Sequence, residues 1–325
     1  MASDPEIDKA VAILNRGGLV AFPTETVYGL GADASNPEAL KKLYAAKGRP
    51  AGHPVIVHLA AAALLPLWAS EVTPLAQKLA QTFWPGPLTL ILRRAPGVSD
   101  AITGGQDTVG VRVPSHPVAH ALLTKFGGGI AAPSANRFGR VSSTMAQHVE
   151  QEFGASVDCV LDGGPSEVGI ESTIVDVTGK RPLLLRPGHI SAHEIERIAG
   201  VPFAAPSDDV PRVPGSLAAH YAPKTPLMVM EGDLLLELAA SLTRQGKRVA
   251  VLARSARQPL LTELTWITAP PDPTGYAHDL YANLRALDAA GCDAILMEKL
   301  PQQPEWAAIN DRIGRAATGS RFTSA

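Results

Sequence analysis

A short apolar run passes directly into hydroxyl and glycine residues in Leu19-Val20-Ala21-Phe22-Pro23-Thr24-Glu25-Thr26-Val27-Tyr28-Gly29-Leu30-Gly31. The first four residues predict a buried strand, because Gly17-Gly18 precede them and Pro23 follows. The glycines after it predict a turn. Gly29 to Ala34 also match G-x-G-x-x-A, but a dinucleotide site needs a helix that begins inside the motif. The next helix start lies later, so we do not expect a nicotinamide site.

That helix is predicted from Asn36-Pro37 to about Ala46, with Gly48 as its carboxy-terminal cap. Lys47 and Arg49 then place two cations at the helix end. One interpretation is that they complement the helix dipole and stay solvated. The other is that they join the hydroxyl-rich turn upstream to bind a phosphorylated, carboxylate-bearing ligand. Both interpretations remain open at this point.

The composition describes a globular protein with a large core. The chain has 325 residues, of which 46% are hydrophobic and 18% charged, and its formal net charge is -2. That length allows two domains, and that charge argues against a surface built wholly for nucleic acid. Cys159 and Cys292 give neither a disulfide framework nor zinc spacing. The acidic amino terminus is not a signal peptide and no run could span a bilayer, so we expect a soluble, cytoplasmic protein.

Residues 1–203 predict a catalytic domain with a mixed α+β sheet, because helices do not separate the strands regularly. The segments 172–177 and 182–186 predict a hairpin across Thr178-Gly179-Lys180. Prolines at 206, 211, 214 and 223 predict an interdomain linker at 204–225, long enough to reach back over the first domain. Residues 226–325 alternate strand and helix, which predicts a small, Rossmann-like parallel α/β domain.

Arg112 lies inside an apolar strand, Val109 to Val113, and needs an anionic partner if that strand is buried. The partner could be Asp107 or Glu171 in a structural ion pair, or a ligand carboxylate. A second polar segment, Ala131 to Asn136, could be a turn or a nest for an anion. It does not match G-x-S-x-G, so no nucleophile elbow is indicated.

With these residues assembled, the chain resembles the threonylcarbamoyl-AMP synthase family in its longer, two-domain form. The matching segments occur in family order and are Phe22 to Leu30, Lys47-Gly48-Arg49-Pro50, Pro54 to His58, Trp84 to Thr89, Val111 to Pro114, Pro133-Ser134-Ala135-Asn136, Glu171 to Asp176, Arg186-Pro187-Gly188 and His220-Tyr221-Ala222-Pro223. Each segment is weak alone, but together they are specific and cover about residues 5–223.

The resemblance implies a YrdC-like α/β core with a twisted mixed sheet around a basic cavity. It implies that L-threonine, bicarbonate or CO2, and ATP give threonylcarbamoyl-AMP and pyrophosphate, with Mg2+ sharing the stabilisation of phosphate charge. A separate transferase would pass the product to tRNA as N6-threonylcarbamoyladenosine (t6A37). No covalent nucleophile and no protein-held metal are needed.

The resemblance also assigns residues to the two substrates. The threonine pocket would be lined by Thr26, His58, Arg112, Ala132 and Ser172, with Arg112 on the carboxylate. ATP would be contacted by Arg49, His53, Thr108, Ser134, Ser142, Arg186, His220 and Tyr221. Lys47 and Arg49 would act on the phosphates as the catalytic cations.

Two residues depart from the family pattern. His53 stands where relatives more often have asparagine, and Ala219 stands where they often carry a basic residue. An alternative to the synthase is an RNA-binding module built on the basic residues Lys41, Lys42, Lys47, Arg49, Arg137 and Arg140. Its binding would depend steeply on salt, but the near-neutral charge and the lack of an aromatic ladder favour the enzyme, with at most weak RNA binding.

Overall fold

The computed structural model describes residues 2–50, 52–205, 210–259 and 264–320. The chain forms two compact units. The first unit comprises Met1–Phe138 and Ser142–Ser216, and the second comprises Gly139–Val141 and Leu217–Ala325.

The first unit is built on a mixed sheet, as the irregular strand spacing predicted. Its nine strands within the described residues are β1 Val20–Phe22, β2 Gly29–Asp33, β3 Ile56–His58, β4 Leu88–Arg93, β5 Thr108–Arg112, β6 Ile130–Ala131, β7 Cys159–Val160, β8 Thr173–Asp176 and β9 Leu183–Arg186. Their order across the sheet is β7-β1-β2-β6-β3-β5-β4-β8-β9. β8 and β9 pair antiparallel, which confirms the predicted hairpin.

Most α-helices of the first unit begin after a residue with a capping side chain. The helices are α1 Asp4–Asn15, α2 Pro37–Lys47, α3 Pro74–Phe83, α4 Asp100–Thr103, α5 Pro117–Phe126, α6 Ala146–Phe153 and α7 Ala192–Ala199, with short 3-10 helices at Ala62–Leu67 and Gly154–Ser156. Helix α6, which follows Met145, is an exception. The Asn36 side chain accepts the amides of Glu38 and Ala39, so α2 begins where the sequence predicted. Gly48 closes α2 with a positive φ of 60°.

One prediction about the first unit was wrong. Gly29–Asp33 forms strand β2, paired antiparallel with β1, where the sequence predicted a turn. The glycines serve close packing, since a Cβ on Gly31 would lie 2.8 Å from Phe22 Cε1 and 2.9 Å from Ile130 Cγ2. The turn itself is confined to Pro23–Tyr28, between the two strands.

The two faces of the central strands differ in chemistry because side chains alternate along a strand. Val57, Val111 and Leu90 point into the large apolar core on one face. Their neighbours Ile56, Gly110 and Ile91 therefore point to the opposite face, which we call the site face. The residues on this face at the strand ends are polar.

The second unit contains a parallel sheet, which confirms the fold class predicted for the carboxy-terminal part. Its strands are β10 Leu227–Met230, β11 Val249–Ala253, β12 Leu264–Thr268 and β13 Ala294–Glu298, in the order β10-β13-β11-β12. Its helices are α8 Gly232–Arg244, α9 Pro273–Ala289 and α10 Ala307–Gly319, with a 3-10 turn at Pro304–Trp306. The sequence did not predict β12. None of the helices in the described residues is long and apolar enough to cross a membrane.

Candidate active site

Strand register brings several predicted site residues to the site face. His58 in β3 lies directly opposite Arg112 in β5. Thr108 and Arg112 point the same way because they are four residues apart in one strand. Ala132 follows β6 and donates its amide to Ile56 O at 3.0 Å. The end of β3 and the end of β5 thus meet at one edge of the sheet.

Arg112 is held by an internal carboxylate, which is neither of the two partners that the sequence suggested. Its Nη2 lies 2.8 Å from Glu25 Oε1, and both side chains are about 95% buried. Its Nη1 donates to Thr26 Oγ1 at 2.8 Å and its Nε to Gly86 O at 3.2 Å. The pairing with Asp107 or Glu171 was wrong, because the turn after β1 carries Glu25 to the end of β5.

The contact between Arg112 and Glu25 is close but poorly aligned. Neither Arg112 Nη2 nor Glu25 Oε1 makes a well-directed hydrogen bond within the described residues, although their charges are adjacent. The second Glu25 oxygen accepts the Ser115 amide at 3.2 Å. A better-aligned carboxylate could therefore compete with Glu25 for this guanidinium.

A pair of threonine hydroxyls supports Arg112. Thr24 Oγ1 lies 2.8 Å from Thr26 Oγ1 and donates to Val27 O at 2.6 Å. It also accepts the amides of Thr26 and Val27 at 3.2 Å. These bonds fix the turn after β1, so the Thr26 hydroxyl faces the guanidinium.

Ser172 and Arg186 form a second polar group on the site face. The Ser172 hydroxyl lies 2.7 Å from Thr89 Oγ1 and accepts from Arg186 Nη2 at 3.1 Å. Arg186 also donates Nη2 to Ser172 O at 2.9 Å and Nη1 to Pro214 O at 2.9 Å. β4 and β8 are parallel and begin side by side, which places Thr89 next to Ser172.

His58 is a buried, neutral imidazole. It is 3% exposed, and its Nδ1 has no hydrogen-bond partner within the described part of the chain. Burial, and next the charge of Arg112, lower the pKa of His58 from 6.5 to about 3. A neutral ring with a free nitrogen offers an acceptor or donor to a ligand without adding charge.

Lys47 is buried, so the interpretation as a solvated helix-end cation was wrong. It is 2% exposed, and its Nζ donates to Ser134 O at 2.6 Å and to Asn136 O. Burial, and next the charge of Arg49, hold the pKa of Lys47 well below its usual range. Lys47 thereby fixes the Pro133–Asn136 segment to the end of α2.

Arg49, His53 and Phe138 pack together next to this segment. Arg49 is 8% exposed, donates Nη2 to Pro54 O at 2.7 Å, and lies 5.6 Å from the centre of the Phe138 ring. The His53 ring meets the same phenyl ring edge-on at 5.2 Å. Burial, and next Arg49, lower the pKa of His53, so this imidazole is neutral near pH 7.

The remaining predicted ATP contacts of the first unit lie in its polar segments. Ser142 is buried and donates its hydroxyl to Glu171 Oε1 at 2.6 Å. Ser134 is half-buried at the end of β6, bridged to Gly29. Thr108, with Arg93, Asp176 and Pro211, lines a cavity of about 360 Å³.

Residues 212–216 cover part of the site face. Val213 is 5% exposed and packs against Ile56, Ile91 and Ile174. Arg212 and Gln106 exchange two hydrogen bonds, of 2.7 and 3.1 Å, and Arg212 Nη2 reaches Gly104 O at 2.9 Å. We call residues 212–216 the strap.

His220 and Tyr221, also predicted to contact ATP, belong to the second unit. Both are buried, their rings are 4.2 Å apart, and Tyr221 stacks on Tyr281 at 5.7 Å. The Arg312 guanidinium lies 5.4 Å from the Tyr221 ring centre. Tyr221 has a positive φ of 59°, which is uncommon for a residue with a bulky side chain.

Sequence reasoning missed three contributors to the site face. Glu25, the partner of Arg112, was treated only as part of a turn, although a carboxylate between two threonines is a visible signal. Thr89 was quoted only within a motif. Val213 gave no signal, because its burial depends on contacts with strands more than 30 residues away.

The structure also weakens the RNA-binding alternative. Two of its six basic residues, Lys47 and Arg49, are buried and engaged by backbone carbonyls. Lys41 pairs with Glu38 at 2.7 Å.

Among the described residues, no group of three or more His, Cys, Asp or Glu side chains could hold a metal ion.

Comparisons with known proteins cover both units. A Sua5/YciO/YrdC family model, described as telomere recombination, matches residues 12–188. A model of the threonylcarbamoyl-AMP synthase carboxy-terminal domain matches residues 190–318. The chain is 40% identical to the threonylcarbamoyl-AMP synthase of Pyrococcus abyssi, across 96% of this chain and 94% of the relative. It is 38% identical to that of Bacillus subtilis, across 98% and 94%.

Solved structures agree with the sequence comparisons. The crystal structure of P. abyssi Sua5 complexed with L-threonine matches with a TM-score of 0.89 and 38% identity, over 97% of this chain and 95% of the other. A variant of the same protein, with adjacent histidine and tyrosine residues replaced by alanine, also matches with a TM-score of 0.89, at 37% identity over 97% and 94%. With both family models matched in order and whole-length relatives at this identity, the chain belongs to the threonylcarbamoyl-AMP synthase family, whose members are enzymes of the nucleotidyltransferase type.

Proposed function

We propose that this chain condenses L-threonine, bicarbonate or CO2, and ATP to threonylcarbamoyl-AMP and pyrophosphate. Family membership supports the reaction, and the L-threonine complex of the P. abyssi relative supports the amino-acid substrate. The observation in this chain that carries the proposal is the buried guanidinium of Arg112, next to His58 and Thr26 on the site face. A threonine carboxylate would complete the alignment that Glu25 leaves imperfect.

The reaction requires the protein to hold the anionic substrates next to each other. It does not require a nucleophile from the protein. The threonine amine attacks CO2, forming an N–C bond and losing a proton to give a carbamate. A carbamate oxygen then attacks the α-phosphorus of ATP, and the bond from that phosphorus to the pyrophosphate oxygen breaks. Arg112 would hold the carboxylate, and Arg49 and Arg186 would offset the phosphate charge.

The residues proposed to contact ATP lie in both units. Arg49, His53, Thr108, Ser134, Ser142 and Arg186 supply cations, a neutral imidazole and hydroxyls in the first unit. Lys47 would act mainly by fixing the loop that carries Ser134, since its ammonium already binds two carbonyls of that loop. His220 and Tyr221 are an adjacent histidine–tyrosine pair in this chain, and an alanine variant of such a pair in the P. abyssi relative has been solved with a matching fold.

An ATP substrate can bring Mg2+ on its own phosphates, where the cation would offset phosphate charge. The product is a mixed carbamic–phosphoric anhydride, which is reactive towards amines. We propose that a separate transferase passes it to tRNA for N6-threonylcarbamoyladenosine formation.

The test of this function is pyrophosphate release from the purified full-length chain with ATP and bicarbonate. We expect release only when L-threonine is present, and incorporation of labelled bicarbonate into an AMP-linked product. Arg112→Ala should raise the threonine KM at least 30-fold, because loss of one member of a buried charge contact costs about 2–5 kcal/mol. Release that is independent of threonine, or an unchanged KM in this variant, would contradict the proposal.

A further inference from the structure

The carboxyl edge of the second unit's sheet carries polar groups that the proposed reaction does not use. All four strands are parallel, so β10, β11 and β13 end at the same edge, at Met230, Ala253 and Glu298. In open α/β sheets, ligands bind outside the carboxyl ends of the strands. This edge is therefore the first place in the unit to look for a ligand.

Glu298 organises the loop that follows β11. Its Oε2 accepts three consecutive backbone amides, those of Arg254, Ser255 and Ala256, at 2.7, 2.8 and 3.0 Å. The Ser255 hydroxyl donates to Oε1. Burial raises the pKa of Glu298, but these hydrogen bonds outweigh burial and lower it below its ordinary value. The ionised carboxylate thus fixes the backbone from which the Arg254 side chain extends.

Two buried donors next to this loop have no partner among the residues that the structure describes. They are Arg254 Nε and the hydroxyl of Tyr276, a side chain in α9 that is 1% exposed. Burial, and next the charge of Glu298, raise the pKa of Tyr276, so its O–H is retained. Buried donors without an acceptor are rare and costly, so an acceptor is expected here.

The side chains that carry both donors pack against the same indole ring. The Arg254 guanidinium lies 5.6 Å from the centre of the Trp306 ring, and the Tyr276 ring meets Trp306 edge-on at 5.7 Å. Arg254 is half-buried and Ser255 is exposed, so solvent reaches the loop. The arrangement combines a positive charge, two directed donors and an aromatic wall.

We propose that Arg254 and Tyr276, held by the Glu298-bound loop and Trp306, form a binding site for a small oxyanion of the phosphate class. The guanidinium would donate to two of its oxygens and the Tyr276 hydroxyl to a third. The carboxylate of Glu298 is already satisfied by four donors of the loop. This site is independent of the synthase reaction proposed for the first unit.

The test titrates the full-length chain with inorganic phosphate and follows tryptophan fluorescence, because Trp306 packs against the side chains of Arg254 and Tyr276. The titration is repeated in an Arg49→Ala background, which removes a proposed ATP contact of the first unit. We expect a saturable change that persists in this background and disappears in Trp306→Phe. Loss of synthase activity and loss of this signal are then separate observations.

Three variants assign the signal to the site. Arg254→Gln and Tyr276→Phe should each raise the phosphate Kd about tenfold or more, as expected for loss of a charge-assisted or buried hydrogen bond. Arg248→Gln removes one positive charge at the opposite end of β11 and should leave the Kd unchanged. Without phosphate, Tyr276→Phe should unfold at the same or a higher temperature, because the lost hydroxyl has no partner.

Several outcomes would overturn the proposal. They are an unsaturable signal, an equal Kd in Arg254→Gln and the parent chain, an equal effect of Arg248→Gln, and a marked destabilisation by Tyr276→Phe. A crystal structure grown in phosphate that shows only an ordered water between Arg254 Nε and the Tyr276 hydroxyl would overturn it as well.

Discussion

The Arg112 guanidinium has two roles. In the free protein it balances the buried charge of Glu25, and under the proposed function it binds the carboxylate of threonine. Since Glu25 is poorly aligned with Arg112, the ligand would replace an internal competitor. The affinity for threonine would then be reduced by the strength of the internal pair, a cost that a variant can expose.

We predict that Glu25→Gln lowers the free energy of unfolding and enlarges the stabilisation by threonine. Removing one partner of a buried pair costs about 3–5 kcal/mol, and a bound carboxylate would restore the missing charge. The measurement is the shift in melting temperature with added L-threonine, which should be larger in the variant than in the parent chain. Glu38→Gln, which breaks an exposed pair with Lys41, is the control. An equal or smaller threonine shift in Glu25→Gln would show that Glu25 does not compete.

His58 should make the stability of the fold depend on pH. The pKa of His58 is about 3 in the folded protein and 6.5 ordinarily, so between these values the unfolded chain binds one more proton. The contribution of neutral His58 is complete above about pH 6.5 and is lost as the pH falls towards 3, at up to about 1.4 kcal/mol per pH unit. The free energy of unfolding, measured with urea from pH 7 to 5, should therefore decrease less in His58→Gln than in the parent chain. His120→Gln, an exposed site on α5, is the control, and identical slopes in His58→Gln and the parent would contradict the prediction.

At the scale of elements, local signals placed most helices and strands. α2 begins at its Asn36-Pro37 signal and ends at Gly48, because the capping groups lie within a few residues of the backbone they satisfy. The burial of Lys47 could not be predicted from such local signals. The helix-dipole argument is local, but the ammonium is buried by carbonyls 87 and 89 residues away. The pairing of Arg112 with Glu25 depends in the same way on a distant turn, so the sequence indicates candidate residues but not the partners that hold them.

The strap gives an element-scale prediction. Val213 packs its two methyl groups on Ile56, Ile91 and Ile174, so Val213→Ala should weaken the strap by about 1.6 kcal/mol at ~0.8 kcal/mol per buried group. Local opening would then be about 15-fold more frequent. Limited proteolysis within residues 212–216 should accelerate by about that factor, with unfolding of the first unit unchanged. Val210→Ala, at a side chain that is 40% exposed, is the control and should be cleaved at the same rate as the parent chain. An unchanged cleavage rate in Val213→Ala would mean that the strap is held by its hydrogen bonds alone.

At the scale of the whole molecule, each unit has an apolar core of its own. Among the described residues, the first unit contains a large cluster around Leu30, Val57 and Val111 and another around Ile13, Phe22 and Leu122. The second has a separate cluster around Val251 and Leu296. The strap is counted with the first unit up to Ser216, and His220 and Tyr221 with the second. Truncation can therefore remove the His220-Tyr221 pair alone or together with the strap.

We predict that residues 1–205 and residues 1–216 both fold, because the two core clusters of the first unit lie within them. The shorter chain loses Val213 and the hydrogen bond from Arg186 to Pro214 O, so it should melt at a lower temperature than the longer one. Both should release pyrophosphate more slowly than the full-length chain, since both lack His220 and Tyr221, and the shorter chain should be the slower of the two. Full activity of residues 1–216 would show that His220 and Tyr221 are dispensable. Equal activity and melting of the two truncated chains would show that the strap contributes to neither property.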